Sequence, residues 1–243
     1  MTLLHEYQGR TSYSREAIPP KDPCWRQAAA PYKSYAQAGA RTVGLARLAA
    51  LPPVDLWQTL RARRSRREYA ADPIAQGTLF LLLWSAQGIT GGDGWSFRTA
   101  PSAGALYPVE TYLCAARVEG IEPGVWHWEL PEQRLALVAP RADVAEVACH
   151  ACVDQEMVAA AAVTFVWSAV WGRGGQKYGD RALRYAYLDV GHLAENLHLA
   201  ATGLGLGACM IGAFFDDEMN ALVGVDGQEE TVIYAASVGR LTG

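Results

Sequence analysis

Three observations on the sequence predict an α+β fold, with helices packed on a mixed central sheet. Helical and strand-like segments alternate from residue 54 to the C-terminal region, which builds layers rather than a bundle. Residues 162–170 are a continuous apolar run, the mark of a buried central strand. Residues 181–203 carry apolar side chains at intervals of three and four, the signature of a long helix. The chain has 243 residues, 51% hydrophobic and 19% charged, enough to bury one large core.

Taken in order, residues 1–54 are rich in Pro, Ala, Tyr and Arg with weak periodicity. They read as an N-terminal arm with short helices, ending at Leu51, Pro52 and Pro53, ahead of a domain spanning 55–243. Residues 54–64 predict a helix with Leu56, Trp57 and Leu60 on one side. Asp72-Pro73 signals a helix start, and residues 79–87 a buried helix that Gly88 ends. Gly91, Gly92, Asp93 and Gly94 form a turn or loop. Residues 110–118, 124–129 and 135–138 predict three strands, the last two joined by a turn around Pro131. Residues 144–157 read as one helix. In the long helix, Leu183, Tyr187, Val190, Leu193, Ala194, Leu197 and Ala201 form the apolar stripe. Strands over 208–215 and 231–238 finish the sheet.

Composition excludes several classes. The net charge is −4 and the one basic run, residues 61–67, is short, so no nucleic-acid partner is expected. The most apolar stretch, residues 79–84, is far too short for a membrane span, and the N-terminus lacks the pattern of a secretory signal. Five cysteines (Cys24, Cys114, Cys149, Cys152 and Cys209) are odd in number and scattered, which fits a reduced, cytoplasmic protein.

Four clusters carry candidate chemistry, each with an ordinary alternative. Arg63, Arg64, Ser65, Arg66 and Arg67 set guanidiniums beside a hydroxyl, a donor set for a dianionic phosphate; a solvated helix end is the alternative. Pro101, Ser102, Ala103 and Gly104, continuing to Tyr107-Pro108, are small residues between prolines that let backbone approach a flat ligand, or an ordinary loop before a strand. Gly203, Gly205 and Gly207 have a spacing like that of a dinucleotide fingerprint, but they end a helix instead of opening one, so that reading is set aside. Lys177 beside Tyr178 is a candidate proton-transfer pair, since a cation lowers a neighbouring phenol's pKa; a surface Lys near a capping Asp explains it as well. His192 reads as a structural helix histidine or a catalytic one. Cys149 and Cys152 are a single pair with no second pair to complete a zinc site, and no metal is expected.

The order of these clusters is distinctive. Arg63 to Arg67, then Pro101-Ser102-Ala103-Gly104-Ala105-Leu106-Tyr107-Pro108, then Lys177-Tyr178-Gly179-Asp180-Arg181, then Asp189-Val190-Gly191-His192, then Gly205 and a terminal Val238-Gly239-Arg240 resembles the SagB-type dehydrogenases of the nitroreductase superfamily. The opening Leu4-His5-Glu6-Tyr7 and Tyr32-Lys33-Ser34-Tyr35 are similar to that group too.

The resemblance implies a nitroreductase-like sandwich, an intertwined homodimer, and one FMN at each subunit interface. It implies oxidation of thiazolines or oxazolines to azoles in peptide natural-product biosynthesis, on a peptide or carrier-bound substrate, beside a cyclodehydratase or assembly-line partner. The alternatives on the same scaffold are dehydrogenation of another small or carrier-bound metabolite and NAD(P)H-driven reduction of nitro compounds or quinones. A flavin-free scaffold for a partner enzyme is the non-enzymatic one. By the same resemblance Arg63, Arg64, Ser65 and Arg67 hold the FMN phosphate and ribityl chain, with Arg240 nearby. Pro101, Ser102, Ala103 and Gly104 lie along the flavin from the partner subunit. Gly205, Met210, Ile211 and Gly212 lie against its ring system, and Lys177 and Tyr178 perform catalysis. Tyr178, assisted by Lys177, takes a proton, the flavin takes the hydride, and oxygen reoxidises it. Tyr107 replaces the Gln or Asn of plain nitroreductases, as in the SagB-type branch. The chain is short for a complete peptide-modifying member, which points to a smaller substrate or to delivery by a partner.

Overall fold

The computed structural model describes residues 2–15, 30–45, 51–91 and 97–242. In chain order they form α1 (Leu3–Arg10), β1 (Thr42–Gly44), α2 (Leu56–Ala62), α3 (Gln76–Gln87), β2 (Ile89–Gly91), β3 (Phe97–Arg98), β4 (Val109–Ala115), β5 (Gly124–Glu129) and β6 (Arg134–Pro140). There follow α4 (Val144–Ala151), α5 (Glu156–Ala160), β7 (Val163–Val170), α6 (Trp171–Tyr178), α7 (Ala182–Gly203), β8 (Leu206–Ile211), α8 (Asp216–Val223) and β9 (Glu230–Arg240). Cys24 and the expected turn at Gly92, Asp93 and Gly94 lie outside the described residues.

Seven strands join in the order β1-β6-β5-β4-β7-β9-β8. Every ladder in this sheet is antiparallel. The mixed character expected of the sheet is confined, among the described residues, to isolated parallel bridges from Ser65 to Ala208 and from Ile74 to Val118. Short connections between β4, β5 and β6 favour this, because antiparallel neighbours need no crossover helix. The apolar run of β7 lies inside the sheet, between β4 and β9. Its side chains alternate faces: Phe165 and Trp167 pack with Leu79, Leu82, Leu83, Leu193 and Leu197 of α3 and α7. Val166 packs with Val144, Cys149, Val158, Met219 and Val223 of α4, α5 and α8. The result is three layers, helices on both faces of one sheet.

Several elements depart from expectation for identifiable reasons. The predicted helix over 144–157 breaks into α4 and α5, because Val153 and Asp154 take φ of 58° and 53°; Asp154 tolerates this left-handed turn while its carboxylate meets His150 Nδ1 at 2.6 Å. Residues 171–178, with three glycines, carry no helical pattern, yet they form α6. Gly174 explains part of this: a Cβ there would sit 3.1 Å from Ala182 Cβ, so the glycine lets α6 press on α7. The strand expected over 208–215 ends at Ile211. The predicted apolar side of α2 faces outward instead: Leu56, Trp57 and Leu60 are exposed and Thr59 is buried. Tyr187, placed in the stripe of the long helix, is also exposed. The arm does not stay apart from the sheet, since β1 pairs with β6 as its edge strand. No helix among the described residues is long and apolar enough to cross a membrane.

Candidate active site

The loop before β4 is held in a strained shape by polar ties. Gly104, Ala105 and Tyr107 take φ of 64°, 54° and 47°. For the two non-glycines this costs roughly 1–3 kcal/mol each, and such strain persists only where surroundings over-determine it. The surroundings are specific. Ser102 Oγ donates to Asp189 Oδ2 at 2.5 Å, and Ala103 N donates to Asp189 Oδ1 at 3.2 Å. Tyr107 N donates back to Ser102 Oγ at 2.9 Å, and the Arg98 guanidinium lies 4.1 Å from the Tyr107 ring centroid. Burial lifts the Asp189 carboxyl above the usual range, against those hydrogen bonds.

Behind the loop is a buried ion cluster. Arg173, 4% exposed on α6, donates to Glu110 on β4, to Tyr107 O at 3.0 Å and to Ala30 O at 3.0 Å. The other Glu110 oxygen meets His127 Nε2 at 2.8 Å. Burial alone would raise the Glu110 carboxyl, but the His127 hydrogen bond and the Arg173 charge outweigh it and hold the group at about 2.

Lys177 and Tyr178 end α6 directly over this loop. A Cβ at Gly104 would lie 2.5 Å from Tyr178 Oη and 2.6 Å from Lys177 Nζ, so only glycine leaves both polar ends in place. The Tyr178 ring stacks edge-on against Tyr185 at 4.7 Å between centroids, and Arg181 Nε donates to Tyr185 Oη at 2.8 Å. The neighbouring cation was expected to lower the Tyr178 phenol. Instead the phenol lies above its ordinary value, raised first by burial and then by Tyr185 and Asp189.

The other predicted residues gather at a different corner. Arg63 caps α2; Arg64, Ser65 and Arg67 follow in an exposed extended segment. Arg64 turns back on the carbonyls of Arg61 and Arg63. Ser65 bridges to Ala208 on β8, and Arg66 N donates to Ala208 O at 2.9 Å. Arg240 pairs with Leu206 at the near end of β8, beside Gly205, whose φ is 72°. Further along β8 come Met210 and Ile211, with Gly212 just past the strand. At about 3.4 Å per residue, the strand from Ala208 to Ile211 covers roughly 10 Å. No carboxylate among the described residues pairs with Arg61, Arg63, Arg64, Arg66, Arg67 or Arg240. Space is open around Gly205, and a Cβ at Gly212 would meet only Tyr234, at 3.8 Å. Exposed guanidiniums and a hydroxyl beside an open strand edge fit the phosphate and flat ring of a flavin mononucleotide.

One chain does not bring the two groups together. Helix α7 holds both, Asp189 binding the loop and His198 Nε2 meeting Arg64 O at 3.1 Å. Nine residues separate them, about 13 Å along the axis and roughly half a turn around it. They therefore lie on opposite edges of the helix's buried stripe.

The remaining candidates drop away. His192 is exposed, one turn along α7 from Asp189, and acts on that carboxyl electrostatically. Cys149 and Cys152 are buried, and burial, with Cys149 beside it, pushes the Cys152 thiol up to about 12, where it is unreactive. No group of three or more His, Cys, Asp or Glu side chains among the described residues could hold a metal ion. Gly203 to Gly207 closes α7 and leads into β8, against a dinucleotide site. Sequence reasoning gave no role to Asp189, Glu110, Arg173 or Arg98, although Asp189 stood in the Asp189-to-His192 motif. Their signal was faint: a single carboxylate in an apolar helix stripe, one in a strand, and cations among glycines and aromatics.

The nitroreductase family model matches residues 60–240. A protein of Methanocaldococcus jannaschii that bears the name nitroreductase is 36% identical over 187 residues, covering 77% of this chain and 91% of its own. The trifolitoxin-processing protein TfxB of Rhizobium leguminosarum bv. trifolii is 28% identical over 117 residues, 45% of this chain and 30% of that one. Among solved structures, one named as a nitroreductase from Anabaena variabilis superposes with TM-score 0.79 at 28% identity. That match covers 99% of this chain but 47% of the other, so the present chain spans about half its length. A chain of the E. coli microcin synthetase McbBCD complex, with truncated pro-MccB17 bound, has TM-score 0.63 at 21% identity, covering 98% and 87%, a likeness of fold.

Proposed function

The chain belongs to the nitroreductase family, and from that premise we propose that it is an FMN-dependent dehydrogenase oxidising a thiazoline or oxazoline to the aromatic azole, in a peptide or carrier-bound substrate. The observation that carries this reading is the closure of Lys177 and Tyr178 on Gly104. A reductase passing hydride from nicotinamide through flavin to a nitro group or quinone also takes up protons, but at an acceptor oxygen that solvent can reach, with no base needed to break a C–H bond. Aromatising an azoline does need one, because one ring carbon loses a proton as its neighbour loses a hydride. The likeness to a trifolitoxin-processing protein and to a microcin synthetase chain supports a role in peptide maturation, with a cyclodehydratase or another synthetase component as partner.

Arg63, Arg64, Ser65, Arg67 and Arg240 would hold the FMN phosphate and ribityl chain. Gly205, Met210, Ile211 and Gly212 would flank the ring, with Pro101, Ser102, Ala103 and Gly104 supplied by the partner subunit. A bound flavin supplies the two-electron acceptor. The protein's own residues orient the azoline carbon, exclude water and take the proton at Tyr178 Oη, with Lys177 beside it. A phenol is protonated at neutral pH and burial raises Tyr178 further, so the pair accepts a proton more readily as pH rises.

The homodimer follows the same logic. The loop and the basic corner sit on opposite edges of α7, an arrangement that suits the interface site of the resemblance, with the loop supplied by a second copy. Leu51, Val54, Leu56, Trp57 and Leu60 expose an apolar face along α2. Beside it runs a groove of about 370 Å³ bounded by Leu51, Val54, Leu81, Trp84 and Leu199, a suitable seat for a second copy.

Tyr178→Phe tests the reading. It is expected to cut azoline turnover by about 100-fold or more, the range for losing a proton-transfer group, while flavin content stays the same. Unchanged turnover would remove Tyr178 from the chemistry. A second reading, NAD(P)H-driven reduction of nitro compounds or quinones, is favoured by the name of the M. jannaschii relative.

A further inference from the structure

We propose that Arg173 is a positioning residue that sets Lys177 and Tyr178 against the loop of residues 101–108, using the N-terminal arm as its third anchor. This rests on the reading of Lys177 and Tyr178 given above.

Arg173 lies one helical turn before Lys177 on α6, so its placement sets the direction in which the last turn of that helix points. It is 4% exposed and spends its guanidinium on three different elements. One nitrogen reaches Glu110 on β4, another the carbonyl of Tyr107, and the third the carbonyl of Ala30. Tyr107 is itself strained at φ 47°, and its carbonyl is the point where the loop returns to the sheet. A planar fork that donates in three directions fixes a helix, a loop and an arm in one geometry; an ammonium is a point donor without that shape. Glu110 is immobilised in turn by His127, whose ring packs 5.2 Å from Tyr35 and 5.0 Å from Tyr112. Tyr35 belongs to the arm. The neighbouring Lys33 reaches Tyr112 Oη and Glu230 at 2.7 Å each, and Ser34 reaches Glu129 at 2.8 Å. The arm is thus pinned to three buried carboxylates, two directly and one through Arg173. Its grip reaches the Lys-Tyr pair without touching it.

A buried ion pair that serves folding alone would lower stability when altered but leave the pair's environment unchanged in whatever folds. Two readouts separate the cases: kcat against KM for azoline oxidation by the flavin-loaded protein, and the ¹⁹F resonance of 3-fluorotyrosine placed at position 178. Arg173→Lys keeps the charge beside Glu110 and loses the three-way fork. It is expected to lower kcat by about 10- to 100-fold, as for a misplacement on the order of 1 Å, to leave KM within about twofold, and to move the ¹⁹F resonance. Tyr69→Phe, which removes the buried hydrogen bond between Tyr69 Oη and Ser237 Oγ away from both the arm and the loop, is the control and should leave the resonance in place. If Arg173→Lys does not fold, Glu110→Gln loosens the same fork and should move the resonance in the same direction. An unmoved resonance with unchanged kcat overturns the proposal, as does an equal shift in Tyr69→Phe. If the unaltered protein oxidises no azoline, the functional reading fails by itself and the ¹⁹F comparison still decides the positioning role.

Discussion

The loop with its Lys-Tyr pair and the basic corner at the start of β8 are built in opposite ways. In the loop polar groups are tied to named partners: Ser102 and Ala103 to Asp189, Tyr107 to Ser102, Arg98 and Arg173, and Arg173 to Glu110. The basic corner exposes its guanidiniums with no carboxylate partner among the described residues. The difference follows from the work each would do. A proton-transfer pair must be placed before its substrate arrives, and the strained φ values at Gly104, Ala105 and Tyr107 are the cost of that placement. A phosphate grip gains its order from the ligand, whose charge supplies the counter-ion the side chains lack.

Substitutions can break this contrast, and after Tyr178→Phe the largest effect is expected at Gly104. Gly104→Ala puts a methyl where Tyr178 Oη and Lys177 Nζ meet, at a φ of 64° that costs a non-glycine residue about 1–2 kcal/mol. Azoline turnover should fall by about 10- to 100-fold at saturating FMN, with a modest fall in Tm. Retained turnover would mean the pair is not set by the loop.

Arg67→Ala sharpens the other half. It should weaken FMN binding by about 10-fold or more, for a charge-assisted hydrogen bond lost to the phosphate, and leave the Tm of the flavin-free protein within error. Full flavin retention on dialysis would take Arg67 out of the phosphate grip.

How much of this contrast was legible in the sequence differs by element. The strand Gly124–Glu129 and the long helix, within one residue, could be read because their periodicity is local. Helix α6 could not, because three glycines hide a helix whose reason is tight packing on Ala182, a contact made in three dimensions. In the arginine-rich corner residue types alone left a phosphate donor set and a solvated helix end both open, and the resemblance favoured the first. The meeting of Gly104 with Lys177 and Tyr178, more than 70 residues apart, was not legible: the resemblance named the loop and the pair as separate motifs, and only the fold joins them. Asp189, Glu110 and Arg173 escaped because a buried charge leaves no periodic trace; its partners decide its meaning.

Two pH experiments probe the wired half. The Tyr178 phenol stands above its ordinary value, with Asp189 among the causes. A base with a raised pKa is mostly protonated at neutral pH, so kcat should climb toward alkaline pH. Asp189→Asn removes a negative charge, lowers that pKa and should move the rising limb to lower pH; a limb that stays put would uncouple the two residues. The smallest effect is expected in acid unfolding. Glu110 is held at about 2 against an ordinary 4.5, so its stabilisation is complete above 4.5 and drains away as pH falls toward 2. Glu110→Gln should therefore flatten the dependence of Tm on pH across that window, and an unchanged slope would show that the ion cluster is not coupled to folding.

The most direct test of the whole account is the absorbance spectrum of the protein reconstituted with FMN, followed anaerobically on addition of NADPH and then of an azoline-bearing peptide. Flavin bands that stay with NADPH and bleach with the azoline are the predicted result. Bleaching by NADPH with no response to the azoline, or failure to bind FMN at all, would contradict it.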